Sequence, residues 1–194
     1  MKPPVCDTPF DVAVWLTDRA MQDGEYLQPQ KLHRIMYLAQ AYYAAASKGQ
    51  RLMPAIFITS TFGPIEPCTF RAFENGRPEI QVRAVPDTQK HFLDSVWRRF
   101  GAHTVDYLNR MICEHSPYLE AQMAGPRGEI SLDSMVAFYG RQRPAEDQGA
   151  GGSSTRTPPS VEQVMRPRVM RSHKGKPVNV HPWMPKKRLS DDPK

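Results

Sequence analysis

The sequence is poor in several features that mark large classes of protein. Its 194 residues include only three cysteines, Cys6, Cys68 and Cys113, which are far apart and never form a Cys-x-x-Cys pair. This usage argues against a disulfide framework and favours a reducing compartment. No apolar run approaches the roughly 20 residues of a membrane-spanning helix, and the first residues lack the apolar core of a signal peptide. We therefore expect a cytoplasmic protein without membrane association.

Motifs for catalysis are also missing. No Gly-x-Ser-x-Gly, Walker-type or Gly-x-Gly-x-x-Gly pattern occurs. Three weaker candidates remain: His33 as a ligand or base, Cys68 as a reactive thiol, and Cys113-Glu114-His115 as the start of a metal site. A structural role is favoured for each: a polar flank of a core helix, a small buried core residue, and helix neighbours that point apart. We predict that the protein is not an enzyme and holds no metal and no cofactor, and an enzyme around His33 or Cys68 is a third hypothesis.

Charge divides the chain into two parts. Residues 1–140 carry 14 Lys and Arg against 15 Asp and Glu, a net charge of −1, whereas residues 141–194 carry 12 against 5, a net charge of +7. Helical periodicity also stops at this boundary. We predict a folded domain over 1–140, a flexible linker over 141–160 and a basic, Pro-rich tail over 161–194 that is disordered when alone.

The stretch Leu27–Gly49 carries the strongest structural signal. Its apolar residues recur at three- and four-residue steps and form one stripe on a helix, while Pro29 and Gly49 suit the start and the end. The stripe comprises Leu32, Ile35, Met36, Ala39, Tyr42, Tyr43 and Ala46. We expect the rest of the domain to pack around this helix.

The remaining patterns predict an α-rich α+β fold, with a compact helical domain of about six helices. Two short runs, Ala55–Thr59 and Ile80–Val85, have the pattern of strands, and we expect them in a small two- or three-stranded sheet. Between them, Phe62-Gly63-Pro64 predicts a tight corner, because glycine supplies unusual backbone angles and proline restricts its neighbour. This corner either closes a strand onto the next helix or presents a rigid aromatic surface to a partner.

Six blocks of sequence carry a family resemblance: Phe10–Ala13, Lys31–Gln40, Phe62–Pro67, Val96–Gly101, Ser116-Pro117 and Ile130–Tyr139. Together they resemble the Panacea domain, the family of SocA-type antitoxins and phage-associated proteins, over about residues 8–140. The second and third blocks are similar to the family's helix, roughly KLQKLLYxAQ, and to its YGP(V/I)xP turn. The chain departs at Ser60, where the family usually has a tryptophan, and at Phe62, which replaces the turn's tyrosine.

The resemblance implies a function in a toxin–antitoxin system. Members of the Panacea family mostly neutralise a cognate toxin by direct binding, and one relative also delivers its toxin to the Clp protease as a proteolytic adaptor. We therefore predict an antitoxin-like protein-binding module, with a cognate toxin as partner and a Clp-type protease as a further one.

The basic tail lies outside the resemblance and offers a second activity. Arg166, Arg168 and the other basic residues suit contacts with phosphates, and Trp183 suits stacking on a base or filling a partner's pocket. The alternative function is therefore a nucleic-acid-associated protein that binds weakly through this tail. A tail that only solubilises the protein is an equal alternative.

Overall fold

The computed structural model of the chain describes residues 2–141, 157–166, 169–171 and 177–179. Within residues 2–141 the chain forms seven α-helices: α1 (Pro9–Gln22), α2 (Pro29–Ala46), α3 (Pro67–Ala72), α4 (Asp87–Phe100), α5 (Val105–Cys113), α6 (Ser116–Met123) and α7 (Leu132–Tyr139). The later described residues form α8 (Val161–Met165) and two short antiparallel strands, β1 (Val169–Arg171) and β2 (Pro177–Asn179).

The first helix shows how local chemistry begins these elements. Thr8 Oγ1 accepts a hydrogen bond from the Asp11 N–H at 3.3 Å, and the Asp11 carboxylate accepts one from the Thr8 N–H at 2.8 Å. This reciprocal pair satisfies two N–H groups that a helix start otherwise leaves without partners. Pro9 follows in the first turn, where a missing N–H costs nothing.

The predicted central helix is α2, which packs against α1, α4, α5, α7 and α8. Its burial exceeds the predicted stripe, since every residue from Leu32 to Tyr42 is buried. A helix enclosed on all sides also buries its polar residues, and His33, Arg34 and Gln40 are each exposed by 1% or less. The prediction that His33 lies on a polar flank of this helix is therefore wrong.

The prediction of a small sheet inside the domain is also wrong. Among residues 2–141 the strand-like pairing consists of two isolated bridges, from Ile58 to Ile65 and from Ile58 to Glu129. In register with the Ile58–Ile65 bridge, the next residue to donate would be Pro67, and a proline has no N–H to donate to a strand ladder. The pairing therefore does not extend into strands.

The second predicted strand, residues 80–85, forms a backbone hydrogen bond to a side chain. The Arg83 N–H donates to Asp11 Oδ1 at 3.0 Å, so it meets a side chain of α1 and not a neighbouring strand. Val82 and Val85 pack against the core on the same stretch. The apolar alternation reflects this packing, and the domain over residues 2–141 is helical with irregular connections.

The segment 157–166 spans the boundary between the predicted linker and the predicted tail. It contains α8, which is capped by Ser160 and packs on α2 and α4 with Val164 fully buried. Residues 142–156 and most of the tail lie outside the described residues, so the predicted boundaries of linker and tail stay predictions.

Candidate partner-binding site

The predicted corner consists of a closed turn over residues 60–63 and of Pro64, which follows it directly. The Gly63 N–H donates to the Ser60 carbonyl at 3.1 Å. The Ser60 hydroxyl donates to the Gly63 carbonyl at 2.7 Å and accepts from the Phe62 N–H at 3.1 Å. The Ser60 side chain thus holds the turn closed.

Three helices hold this corner in place. Gly63 has a φ of +96°, and a Cβ there would come within 2.0 Å of Asn109 Oδ1 and 2.9 Å of Arg34 Nη2. Only glycine suits both the backbone angle and this close approach. The Tyr118 hydroxyl donates to the Ser60 carbonyl at 2.8 Å. The corner therefore lies against α2 through Arg34, α5 through Asn109 and α6 through Tyr118.

Arg34 is a buried cation behind the corner. Its Nε and Nη2 donate to Asn109 Oδ1 at 3.3 and 3.1 Å, and its Nη1 donates to the Gln30 carbonyl at 3.1 Å. Burial lowers the pKa of Arg34 to about 10, which leaves the guanidinium charged at neutral pH. None of the ion pairs among the described residues involves it.

His33, the neighbour of Arg34, supports the chain just after the corner. Its Nδ1 accepts a hydrogen bond from the Glu66 N–H at 3.4 Å, and its ring lies 5.5 Å from that of Phe70. Burial, and to a lesser degree the charge of Arg34, lowers the pKa of His33 to about 4. The imidazole is therefore neutral at pH 7 and acts as an acceptor that fixes the start of α3.

A groove of about 710 Å³ opens beside the corner, bounded also by α3, α6 and the loop after α6. We call it the corner groove. Phe62 lines it and is 52% exposed, and Arg71, Glu74 and Arg127 supply its charged side chains. Its apolar lining comes mainly from Ile58, Ile65, Pro67, Phe70, Tyr118 and Pro126. An apolar groove with a few charged groups is suited to binding another molecule.

Three of the six predicted partner-binding residues form the corner itself. Of the tail residues, Arg166 follows α8 directly and is exposed, but it does not line the corner groove. Arg168 and Trp183 lie outside the described residues. The structure places Phe62 in the lining of the groove, and the partner-binding roles predicted for the corner and for the tail stay predictions.

The sequence alone did not identify the residues that hold the corner in place or the residues that supply charge to the groove. Arg34 carries a usable signal, since an arginine inside a long apolar helical pattern must find buried partners. Asn109, Arg71 and Arg127 carry no such signal, because polar residues are common on partly exposed helices and loops.

The other candidates for chemistry have separate roles. Cys68 is exposed, so the prediction that it is a small buried core residue is wrong. Cys113 Sγ lies 3.9 Å from Asn109 Oδ1, whereas His115 Nδ1 lies 2.8 Å from the Tyr139 hydroxyl. The two ends of the Cys113–His115 run therefore contact different partners. No cluster of His, Cys, Asp and Glu suited to holding a metal ion is found among the described residues.

Comparisons with known protein families, with curated proteins and with solved structures find no match for this chain. The resemblance to the Panacea domain thus stays a prediction from the six sequence blocks. Within the described part of the chain, every helix is too short or too polar to cross a lipid bilayer.

Proposed function

We propose that this protein is an antitoxin-like protein-binding module and that the corner groove holds its cognate toxin. The observation that carries the proposal is a turn held by three helices that presents a half-exposed aromatic ring beside an apolar groove. Rigid aromatic side chains lose little conformational entropy on binding and often dominate the energy of an interface. The identity of the partner as a toxin comes from the family resemblance alone.

The fate of the toxin is a further part of the proposal. The resemblance further implies that the bound toxin is delivered to a Clp-type protease. In that role the protein contacts the toxin and the protease at the same time. We place this activity in the cytoplasm, because the cysteine usage favours a reducing compartment.

Growth of cells that express the neighbouring genes tests the proposal. We expect one neighbour to arrest growth when expressed alone and to be harmless beside the full-length protein. Phe62→Ala should abolish this protection. Tyr26→Ala is the control, because it removes a side chain that is 75% exposed and lies outside the corner groove. The proposal fails if no neighbour is toxic, or if a normally folded Phe62→Ala variant protects as well as wild type.

A second candidate function is weak nucleic-acid binding through the basic tail. It is favoured by the net charge of +7 on residues 141–194, against −1 on residues 1–140. Such binding must fall steeply as salt rises, since it depends on the release of counterions from phosphates. Binding that persists at high salt, or in a chain truncated after Gly140, would remove the tail as its cause.

A further inference from the structure

The charges that line the corner groove are unequal. Arg71 and Arg127 both line it and are exposed, and Glu74 is the acidic residue among the lining residues. Neither arginine takes part in any ion pair among the described residues. Two guanidinium groups at the edge of an apolar groove are therefore in position to meet carboxylates on a ligand.

A third guanidinium lies directly behind the corner. Arg34 is 1% exposed, and its hydrogen bonds go to the neutral oxygens of Asn109 and Gln30. The buried carboxylate of Glu66 accepts hydrogen bonds from the first N–H groups of α3, at 3.2 and 2.6 Å, and does not pair with Arg34. In a region shielded from water, the charge of Arg34 adds positive potential behind the groove.

We propose that the corner groove takes a segment of a partner protein that combines large apolar side chains with carboxylates. The apolar side chains would pack against Phe62, Ile65 and Phe70, and the carboxylates would pair with Arg71 and Arg127. The inference rests on the proposed function, since it takes the corner groove as the protein-binding surface and adds the chemistry of its occupant.

Other occupants within reach suit the groove less well. The chain's own residues 141–194 carry a net charge of +7, which Arg71 and Arg127 repel. A second copy of residues 1–140, with a net charge of −1, brings no marked excess of carboxylates. Charge complementarity therefore favours an acidic segment of a different protein.

Selection from a random peptide library tests this assignment. Immobilised full-length protein selects peptides that are displayed from the library. The selection is repeated with Arg71→Glu/Arg127→Glu. The control is Lys48→Glu/Arg110→Glu, which makes the same change in net charge at exposed residues outside the groove.

Wild type and the control should enrich peptides that combine Asp or Glu with large apolar residues. The groove variant should enrich Lys- and Arg-containing peptides and bind the best acidic peptide at least about tenfold more weakly. Enrichment of neutral or basic peptides by wild type, no enrichment at all, or an acidic preference that the groove variant keeps would overturn the assignment.

These outcomes can be told apart from those of the growth assay. If protection depends on Phe62 but is unchanged in Arg71→Glu/Arg127→Glu, the proposed function stands and the proposal of an acidic partner fails. An acidic preference that this variant loses, with no toxic neighbouring gene, would leave the acidic ligand and remove the antitoxin.

Discussion

The hydroxyl of Tyr42, near the end of α2, donates a hydrogen bond of 2.8 Å to the carbonyl of Pro159, 117 residues further along the chain. The Tyr42 ring lies 5.8 Å from that of Phe100 and 5.0 Å from that of Tyr139. Val164, shortly after Pro159, is fully buried. The central helix therefore holds a segment that the composition assigns to a linker and a tail.

Removal of this hydroxyl should loosen the segment. Tyr42→Phe keeps the packed ring and deletes one hydrogen bond, which is worth about 0.5–1.5 kcal/mol. The Val164 amide, which donates to the Ser160 carbonyl at 3.1 Å, should exchange its hydrogen roughly two to thirteen times faster. Tyr43→Phe is the control, since it deletes a bond to Gln89 on α4 and should leave the Val164 amide unchanged. Equal exchange in both variants would contradict the prediction.

Gly63→Ala should destabilise the domain by at least about 3 kcal/mol, because it adds steric overlap with Asn109 to backbone strain. Gly76→Ala is the matched control: Gly76 has a φ of +103°, and nothing lies within 4 Å of an added Cβ. It should cost only the strain, about 1 kcal/mol. Denaturant unfolding measures the loss of stability in both variants. Equal losses of stability would show that the corner accommodates the added methyl group without a steric cost.

Stability should fall as the pH drops from 6.5 towards about 4. Burial, and then Arg34, lowers the pKa of His33 from 6.5 to about 4, so between these values the unfolded chain binds a proton that the folded chain does not. The contribution of His33 is complete above pH 6.5 and is lost progressively on acidification, on the order of 3 kcal/mol in all. Urea unfolding at a series of pH values measures it.

The control for this pH dependence is His33→Asn, which offers an acceptor for the Glu66 N–H but does not titrate. Its free energy of unfolding should vary less between pH 6.5 and 4 than that of wild type. The carboxylates titrate in both proteins, so the difference between the two curves isolates His33. Parallel curves would show that the imidazole does not carry the effect.

Arg34 and Asn109 should be energetically coupled. Arg34→Met removes two guanidinium donors to Asn109 Oδ1, and Asn109→Ala removes an acceptor from a buried charge. A double-mutant cycle on the free energy of unfolding should give a coupling of about 1–2 kcal/mol. Arg34→Met combined with Gly76→Ala should be additive within about 0.5 kcal/mol. If Arg34→Met and Asn109→Ala were also additive, the contact between the two residues would contribute nothing measurable to the free energy of unfolding.

The parts of the fold that could be predicted have local causes. The central position of α2 follows from its own apolar periodicity, and the corner follows from the backbone limits of Gly63 and Pro64. The predicted strands failed because alternation at residues 80–85 marks packing on the core, and the Arg83 N–H found a side-chain acceptor in Asp11.

The residues of the site needed the tertiary structure. Nothing in the sequence near Arg71 or Arg127 indicates that they line one groove, because they meet only when α3 and the loop after α6 are brought to the corner. The burial of His33 was mispredicted for a related reason. One apolar stripe predicts one buried face, whereas α2 is covered by five other helices and, at His33 and Arg34, by the corner and the chain after it.

The sequence by itself determined where the central helix runs, where the chain turns sharply, and how charge is divided between domain and tail, since each depends on neighbouring residues or on composition. Only the tertiary structure decided that Arg34 lies behind the corner with hydrogen bonds but no ion pair among the described residues, that Phe62 lines a groove with two arginines, and that residues 157–166 return to α2. These features depend on contacts between residues far apart in the chain, and such contacts leave no trace in local periodicity.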